Sequence, residues 1–227
     1  MQTHDEKFIF GLYGAGGCAR GVMPFVLDSL HKAFPESAKS NIKLYFVESQ
    51  PMAAEVNGYP LISEEDFFNI PCSIRYFNVA IANSTVREDI SIRCMLRGGV
   101  PLTLNAPSAI AYDANEIGVG AIWCANTMIT SNVKIGKFFH ANIYSYVEHD
   151  CVIGDYVTFA PSVRCNGNVH IQDHAYIGAG AVIKQGSLAK PLVIGRGAVV
   201  GMGAVVTKSV PPYATVVGNP ARPLVKN

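Results

Sequence analysis

The sequence predicts an α/β domain with a small parallel sheet, followed by a parallel β-helix. Short apolar strands alternate with helical segments up to about residue 105, and from about residue 110 apolar residues recur at every sixth position. Of the 227 residues, 49% are hydrophobic and only 15% are charged, which excludes a disordered chain. We therefore expect two domains, residues 1–108 and residues 109–227.

The elements of the N-terminal domain follow from apolar runs that alternate with polar or glycine-containing segments. The predicted strands are Phe8–Tyr13, Leu44–Val47, Asn78–Ala82 and Pro101–Leu104, and the predicted helices are Arg20–Phe34, Glu64–Phe68 and Thr85–Leu96. Strands that alternate with helices indicate a parallel sheet with right-handed crossovers.

The C-terminal domain carries a hexapeptide repeat. Every sixth position from Ile117 onward is apolar, and the positions two residues earlier are mostly small or apolar. The twelve key positions are Ile117, Trp123, Ile129, Ile135, Ala141, Val147, Ile153, Phe159, Cys165, Ile171, Ile177 and Ile183. A meander of ordinary strands favours period two and would not hold this phase, so the repeat predicts a parallel β-helix. The phase slips after Ile183 and resumes at Ile194, which makes Lys184–Leu192 an inserted loop.

Charge and cysteine usage limit the partners and the compartment. The chain has 18 Lys and Arg against 17 Asp and Glu with no charged run, so we expect no nucleic-acid partner and no basic membrane patch. Its six cysteines form no C-x-x-C pair, and no apolar stretch reaches about 18 residues. We therefore expect a reduced, cytoplasmic protein without a membrane anchor.

A glycine turn follows the first predicted strand. Gly14-Ala15-Gly16-Gly17 opens a helix, so its backbone N–H groups can hold a phosphate. The turn departs from G-x-G-x-x-G, and no acidic residue stands about 20 positions later where a dinucleotide fold has one. Dinucleotide-dependent oxidoreduction and a tight turn without a ligand remain as alternatives.

Three stretches, together with the hexapeptide repeat, resemble a known family. They are Tyr13–Cys18, Val147–Gly154 with the sequence V-E-H-D-C-V-I-G, and Val217–Ala221 with the sequence V-G-N-P-A. The chain resembles the left-handed β-helix sugar acetyltransferases of the bacillosamine, perosamine and sialic-acid type over nearly its whole length. The resemblance implies a Rossmann-like N-terminal domain that binds a nucleotide-linked sugar, a left-handed β-helix, acetyl-coenzyme A as cosubstrate, no metal and a homotrimer.

His149 is the candidate catalytic base. Aminolysis of a thioester needs an unprotonated amine and a group that takes its proton, and imidazole, with an unperturbed pKa of about 6.5, accepts protons at neutral pH. The adjoining Asp150 can hold the other ring nitrogen. Because His149 lies two residues after the inward Val147, we expect it at a turn or on the outer face. The alternative is an ordinary surface histidine.

The resemblance also assigns binding residues. It implies nucleotide contacts at Gly16, Gly17, Cys18, Glu48, Ser49 and Ala82, and cofactor contacts through the backbone at Gly167, Ala179 and Met202. Asn142 matches an asparagine of the family, and contact with the sugar and stacking inside a turn are equally open for it. Family members commonly have His at the positions of Cys18 and Thr158, and Asp near Glu48.

The resemblance implies N-acetylation of a nucleotide-linked aminodeoxysugar at its C4 amine, with O-acetylation of a sialic acid or related sugar as the alternative. A non-catalytic trimeric scaffold that binds a nucleotide is a third class, and the retained His149-Asp150 pair argues against it. A zinc hydratase of the carbonic-anhydrase type would use His140, His170 and His174, but the paired-histidine spacing of that family is not evident.

Overall fold

The structure is a computed structural model that describes residues 8–33 and 42–224. Its chain divides into two compact units between Asn105 and Ala106, whereas the sequence predicted the division between residues 108 and 109.

The N-terminal unit is built on one sheet. The strands of this sheet are β1 (Phe8–Tyr13), β2 (Ile42–Glu48), β3 (Glu55–Val56), β4 (Tyr59–Ser63), β5 (Ile74–Val79) and β6 (Val100–Pro101), and the helices of the unit are α1 (Gly17–Val22), α2 (Val26–Ala33), α3 (Glu64–Asn69) and α4 (Ser84–Leu96). A short strand, β7 (Leu104–Asn105), follows β6 and is not part of this sheet. The sheet order is β3-β4-β2-β1-β5-β6, and only the β3–β4 pair is antiparallel. Strand β1 is buried along its whole length because it pairs on both sides, which accounts for its unbroken apolar run.

The predicted helix Arg20–Phe34 differs from the structure. The helical segment begins earlier, at Gly17, and a 3₁₀ turn at Met23–Phe25 separates α1 from α2. This turn contains Pro24, which lacks the N–H that a continuous α-helix needs. The last predicted residue, Phe34, lies outside the described residues.

The prediction of a strand at Asn78–Ala82 was wrong in its limits. Strand β5 pairs with β1 from Ile74 to Val79 and leaves the sheet where β1 ends. The start of the strand was not predicted because Arg75 is polar and interrupts the apolar pattern. Arginine fits there because its guanidinium donates to the carbonyls of Phe67, Phe68 and Ile70 at 2.8–3.1 Å.

The β3–β4 hairpin was missed in the sequence. Its turn residues, Asn57 and Gly58, have φ values of 51° and 80°, as a type I′ turn requires. The Asn-Gly dipeptide was the available signal.

The predicted strand Pro101–Leu104 is in fact two short strands, β6 and β7.

The C-terminal unit is a parallel β-helix with three faces. Its strands are β8 (Ile110–Ala111), β9 (Glu116–Ile117), β10 (Ile122–Trp123), β11 (Met128–Ile129), β12 (Lys134–Ile135), β13 (His140–Ala141), β14 (Tyr146–Val147), β15 (Val152–Ile153), β16 (Thr158–Phe159), β17 (Arg164–Cys165), β18 (Val169–Ile171), β19 (Tyr176–Ile177), β20 (Val182–Ile183), β21 (Leu192–Ile194), β22 (Val199–Val200), β23 (Val205–Val206), β24 (Thr215–Val217) and β25 (Arg222–Pro223). The first face contains β10, β13, β16, β19, β22 and β24, and β25 pairs antiparallel with β24 at its edge. The second face contains β8, β11, β14, β17, β20 and β23, and the third β9, β12, β15, β18 and β21.

The key positions of the hexapeptide repeat fill the centre of the β-helix. Eleven of the twelve are buried, and so are the residues two positions before them. Ile117 is 38% exposed, because its strand β9 is the end strand of the third face and has a coil on one side only. Backbone hydrogen bonds join each coil to the next, as between Ile122 N–H and the Phe139 carbonyl at 2.9 Å. The side chains therefore stack as a continuous apolar column.

Turns in the left-handed backbone region recur every six residues and form three corners. The His149 corner joins the second face to the third and includes residues 130–132, 148–150 and 166–168. The Asn142 corner joins the first face to the second and includes residues 142–144, 160–162, 178–180 and 201–203. The inserted loop, residues 184–191, leaves the β-helix at the His149 corner, where Gly186 N–H donates to the Gly167 carbonyl at 2.9 Å. Leu192, predicted in that loop, begins β21.

Candidate active site

His149 lies at a corner of the β-helix with its ring open to solvent. Its side chain is 56% exposed, and Nδ1 lies 2.7 Å from Oδ2 of Asp150. Asp150 has a φ of 58°, a left-handed conformation that aspartate tolerates better than most residues. Since the ionised carboxylate only accepts, Nδ1 carries the hydrogen and Nε2 of the neutral ring is free to accept a proton.

The backbone of Gly167, one coil further along, supports the imidazole. A Cβ atom at Gly167 would lie 2.6 Å from Cε1 and 2.7 Å from Nε2 of His149, so only glycine leaves room for the ring. The backbones are joined beside it, because Asn168 N–H donates to the His149 carbonyl at 3.0 Å. The ring thus rests on the next coil.

Both backbone polar groups of Gly167 have partners in the structure. Its N–H donates to Oε2 of Glu148 at 3.1 Å, and its carbonyl accepts the N–H of Gly186. Sequence reasoning assigned Gly167 to the cofactor and gave Glu148 no role. The signal for Glu148 was its place directly before His149, but its contact with Gly167 follows only from the coil register.

Asn142 bonds within its own turn. Its Oδ1 accepts the N–H of Ile143 at 2.8 Å, and its carbonyl accepts the N–H of Ser145 at 3.2 Å. The side chain is half-buried. The turn therefore uses the oxygen of the Asn142 carboxamide. Contact with the sugar and stacking inside a turn, the two interpretations from the sequence, are compatible with each other.

Ala179 and Met202 follow each other along the Asn142 corner. Ala179 accepts the N–H of Gly203 at 2.8 Å, which joins the two coils. The N–H groups of Ala179 and Met202 donate to no other atom among residues 8–33 and 42–224. One coil before Ala179 the same position is Pro161, which has no N–H to offer. Two successive coils thus present unused backbone donors.

The predicted catalytic and cofactor residues do not all meet in one chain. His149 and Gly167 lie at the corner between the second and third faces, whereas Asn142, Ala179 and Met202 lie at the corner between the first and second. The whole second face separates the two groups. Thr158, where family members have histidine, is buried on β16 of the first face.

The predicted nucleotide residues all follow adjacent strands of the N-terminal sheet. Strands β2, β1 and β5 are neighbours, and at their carboxyl ends lie Glu48 and Ser49, the glycine turn with Cys18, and Ala82. Oε1 of Glu48 accepts the N–H of Ala15 at 3.0 Å and so ties the end of β2 to the glycine turn. No atom of the described part of the chain lies within 4 Å of a Cβ built at Gly16 or Gly17, so the turn is open on that side.

Arg87 was missed by the sequence analysis. It is fully buried in α4, and its Nη1 donates to the carbonyls of Ile81 and Ala82 at 2.7 and 3.2 Å. It thereby fixes the segment after β5 that carries Ala82. No local sequence signal distinguishes this arginine from one on a helix surface.

No helix within residues 8–33 and 42–224 is long and apolar enough to cross a membrane. Across the same ranges, no three His, Cys, Asp or Glu side chains are grouped as metal ligands would be. His140 and His170, considered above for zinc, lie on the first and third faces.

Known proteins resemble the chain over nearly its full length. No protein-family model matches it. It is 48% identical over 219 residues to the GDP-perosamine N-acetyltransferase of Escherichia coli O157:H7. The aligned region covers 96% of this chain and 97% of that protein. The structure of WeeI from Acinetobacter baumannii AYE has a TM-score of 0.88 and 53% identity, with 96% and 100% of the chains covered.

A third similar structure contains the cosubstrate. The acetyltransferase domain of PglB from Neisseria gonorrhoeae FA1090, in complex with acetyl coenzyme A, has a TM-score of 0.82 and 25% identity, covering 96% of this chain and 100% of that one. These similarities extend over both units, and with the hexapeptide β-helix they settle the family. The chain belongs to the hexapeptide-repeat sugar acetyltransferases.

Proposed function

We propose that the chain is an N-acetyltransferase that moves the acetyl group of acetyl-coenzyme A to the amine, at C4, of a nucleotide-linked aminodeoxysugar. The observation that carries the proposal is the exposed imidazole of His149, bound to Asp150 and resting on Gly167. The 48% identity to a GDP-perosamine N-acetyltransferase makes GDP-perosamine the first acceptor to test.

His149 acts as the general base in this proposal. As the amine attacks the thioester carbonyl, a C–N bond forms and Nε2 of His149 takes the proton that the amine loses. The C–S bond then breaks, and the coenzyme A thiolate leaves and takes this proton from His149, which returns the imidazole to its neutral form. Asp150 keeps Nδ1 protonated and stabilises the imidazolium that forms.

The unused N–H groups of Ala179 and Met202 suit the cosubstrate. The pantetheine arm of coenzyme A carries amide carbonyls, and successive backbone donors along one corner can bind such carbonyls in series. We assign Ala179 and Met202 to this contact. Gly167 is assigned to the support of His149, since its own N–H already bonds Glu148.

A homotrimer reconciles the two corners. His149 and the Ala179–Met202 donors lie on opposite sides of the second face of one chain, so a single site needs the His149 corner of one protomer and the Asn142 corner of its neighbour. A closed ring of three such contacts uses the His149 corner and the Asn142 corner of every protomer. We therefore propose a homotrimer with three shared sites.

The N-terminal unit is the proposed nucleotide-binding domain, of Rossmann-like type. The strand order reverses between β1 and β5, and ligands of open α/β sheets bind where that reversal occurs, beyond the carboxyl ends of the strands. The open glycine turn, Glu48, Ser49 and Ala82 meet there. The free face of Gly16 and Gly17 gives a diphosphate room to approach the backbone.

Acetyl transfer is tested with acetyl-coenzyme A and a panel of acceptors. We expect thiol release with GDP-perosamine or with a UDP- or dTDP-linked 4-amino sugar, together with one new amide for each thiol released. The matched control is the same nucleotide sugar with a hydroxyl group at C4. If a sialic acid gives thiol release and none of the amine acceptors does, the proposal is replaced by O-acetylation.

Removal of the imidazole should abolish most of the activity. We expect His149→Ala to lower kcat by about 10²–10⁴-fold, the range for a positioned general base. His149→Asn should be almost as damaging, because an amide cannot take the proton. Asp150→Asn should cost less, because it keeps the left-handed turn and removes only the charge beside the ring. A kcat near that of the wild type in His149→Ala would exclude the role of His149.

Proline at Ala179 should weaken the binding of acetyl-coenzyme A. Ala179→Pro deletes one of the two free N–H groups, and Pro161 shows that this corner position accepts proline. We expect a KM for acetyl-coenzyme A raised about tenfold, the loss of one hydrogen bond to a buried ligand. The control is Ala125→Pro, at the same corner position three coils away, which should leave this KM unchanged.

The same variant tests whether the site is shared. Neither His149→Ala nor Ala179→Pro forms a complete site alone at low acetyl-coenzyme A. The two variants are mixed in equal amounts, unfolded and refolded together. If they assemble at random, about a quarter of the contacts in a trimer pair an intact His149 corner with an intact Asn142 corner, and activity should return. No recovery would place both corners' functions within one chain.

A side chain at the glycine turn should act on the acceptor alone. Because a Cβ at Gly17 meets no atom of residues 8–33 and 42–224 within 4 Å, Gly17→Val should fold normally and crowd only a bound phosphate. We expect a raised KM for the nucleotide sugar and an unchanged KM for acetyl-coenzyme A. Gly21→Val, on the open side of the same helix, is the control. Equal weakening of both substrates would assign the turn a structural role.

A further inference from the structure

Glu148 is a carboxylate beside the base that the proposed chemistry does not use. It is half-buried, it stands directly before His149, and its Oε2 accepts the N–H of Gly167 across the gap between two coils. Gly167 in turn supports the imidazole of His149. Glu148 therefore contacts the residue against which the ring lies.

The bond between Glu148 and Gly167 distinguishes this pair of coils from the preceding pair. At the same corner one coil earlier, Thr130 occupies the position of Glu148 and makes no equivalent bond to the N–H of His149 within the described ranges. The backbone contact is also longer there, with 3.4 Å from Asp150 N–H to the Ser131 carbonyl against 3.0 Å from Asn168 N–H to the His149 carbonyl. At this corner, the coils are therefore held more closely beside the base than they are one coil earlier.

The residue before Gly167 is fixed by other groups. The phenol of Tyr146 donates to Oδ1 of Asn166 at 2.9 Å, and the thiol of Cys151 donates to the Asn166 carbonyl at 3.2 Å. Partial burial, reinforced by the nearby charge of Glu148, raises the pKa of Tyr146, so its phenol keeps the proton that it donates. These bonds hold Asn166, and among the described residues Glu148 alone accepts the N–H of Gly167.

We propose that Glu148 is a positioning residue: by binding the N–H of Gly167 it holds that glycine beneath the imidazole of His149 and so directs Nε2 toward the acceptor amine. The inference rests on the proposed role of His149 as base.

Two substitutions at Glu148 separate its charge from its hydrogen bond. Glu148→Ala loses the acceptor, and we expect kcat to fall about 10–100-fold while the KM of each substrate stays within about twofold, since a base displaced by an ångström loses rate and not affinity. Glu148→Gln keeps an oxygen that can accept the Gly167 N–H, and it should restore kcat to within about threefold of the wild type.

The control is a similar clamp away from the site. Oδ1 of Asp155 accepts the N–H of Lys137 across two coils at 2.9 Å, at the corner between the third and first faces. Asp155→Ala should lower the thermal midpoint as much as Glu148→Ala does and leave kcat unchanged. An equal fall of kcat in both variants would show that any loosened coil impairs the enzyme, and would overturn the proposal.

Amide hydrogen exchange tests the contact without any acetyl transfer. Followed by mass spectrometry, the Gly167 amide should be protected in the wild type and in Glu148→Gln and should exchange rapidly in Glu148→Ala. If this pattern holds while no acceptor is acetylated, the proposed function fails and the contact stands. A Glu148→Ala enzyme with unchanged kcat and a lowered KM for acetyl-coenzyme A would overturn the proposal, because Glu148 would then only block the amide.

Discussion

The hydrogen bonds between successive coils are the constraint on which the β-helix and its site depend. They fix each coil of 18 residues directly over the next, at the strand spacing of about 4.8 Å. Gly154 shows how close that approach is, since a Cβ there would lie 2.6 Å from the backbone nitrogen of Asp173. A residue at a corner is therefore placed by its number in the repeat, and contacts between coils recur with the same period.

This constraint explains why the chemistry lies at the corners. Side chains on the inner positions are used up by the apolar column, and those on the faces point outward along strands of two or three residues. At a corner the backbone takes a left-handed conformation, one side chain projects, and backbone N–H groups without a ladder partner remain for a ligand. His149 and Asp150 use their projecting side chains, and Ala179 and Met202 offer their backbone N–H groups.

Much of the fold could be predicted because its signals are local. Each inward residue of the β-helix is marked by its own apolarity at period six, and the αβ alternation is marked by short apolar runs. The errors arose where a distant partner decided the outcome. Strand β5 ends where its neighbour β1 ends, and the polar Arg75 fits in the strand only because carbonyls at the end of α3 receive its guanidinium.

The sequence by itself determined the stacked core, the two-part organisation and the adjacency of His149 and Asp150, because neighbours in sequence share one corner. Only the tertiary structure decided which groups meet across coils and strands. Glu148 reaches Gly167 over 19 positions, and Glu48 reaches Ala15 over 33. It also decided that His149 and the Ala179–Met202 donors lie at different corners of one chain. Such contacts depend on how segments are superposed in space, and no residue's own chemistry encodes the identity of a partner so far along the chain.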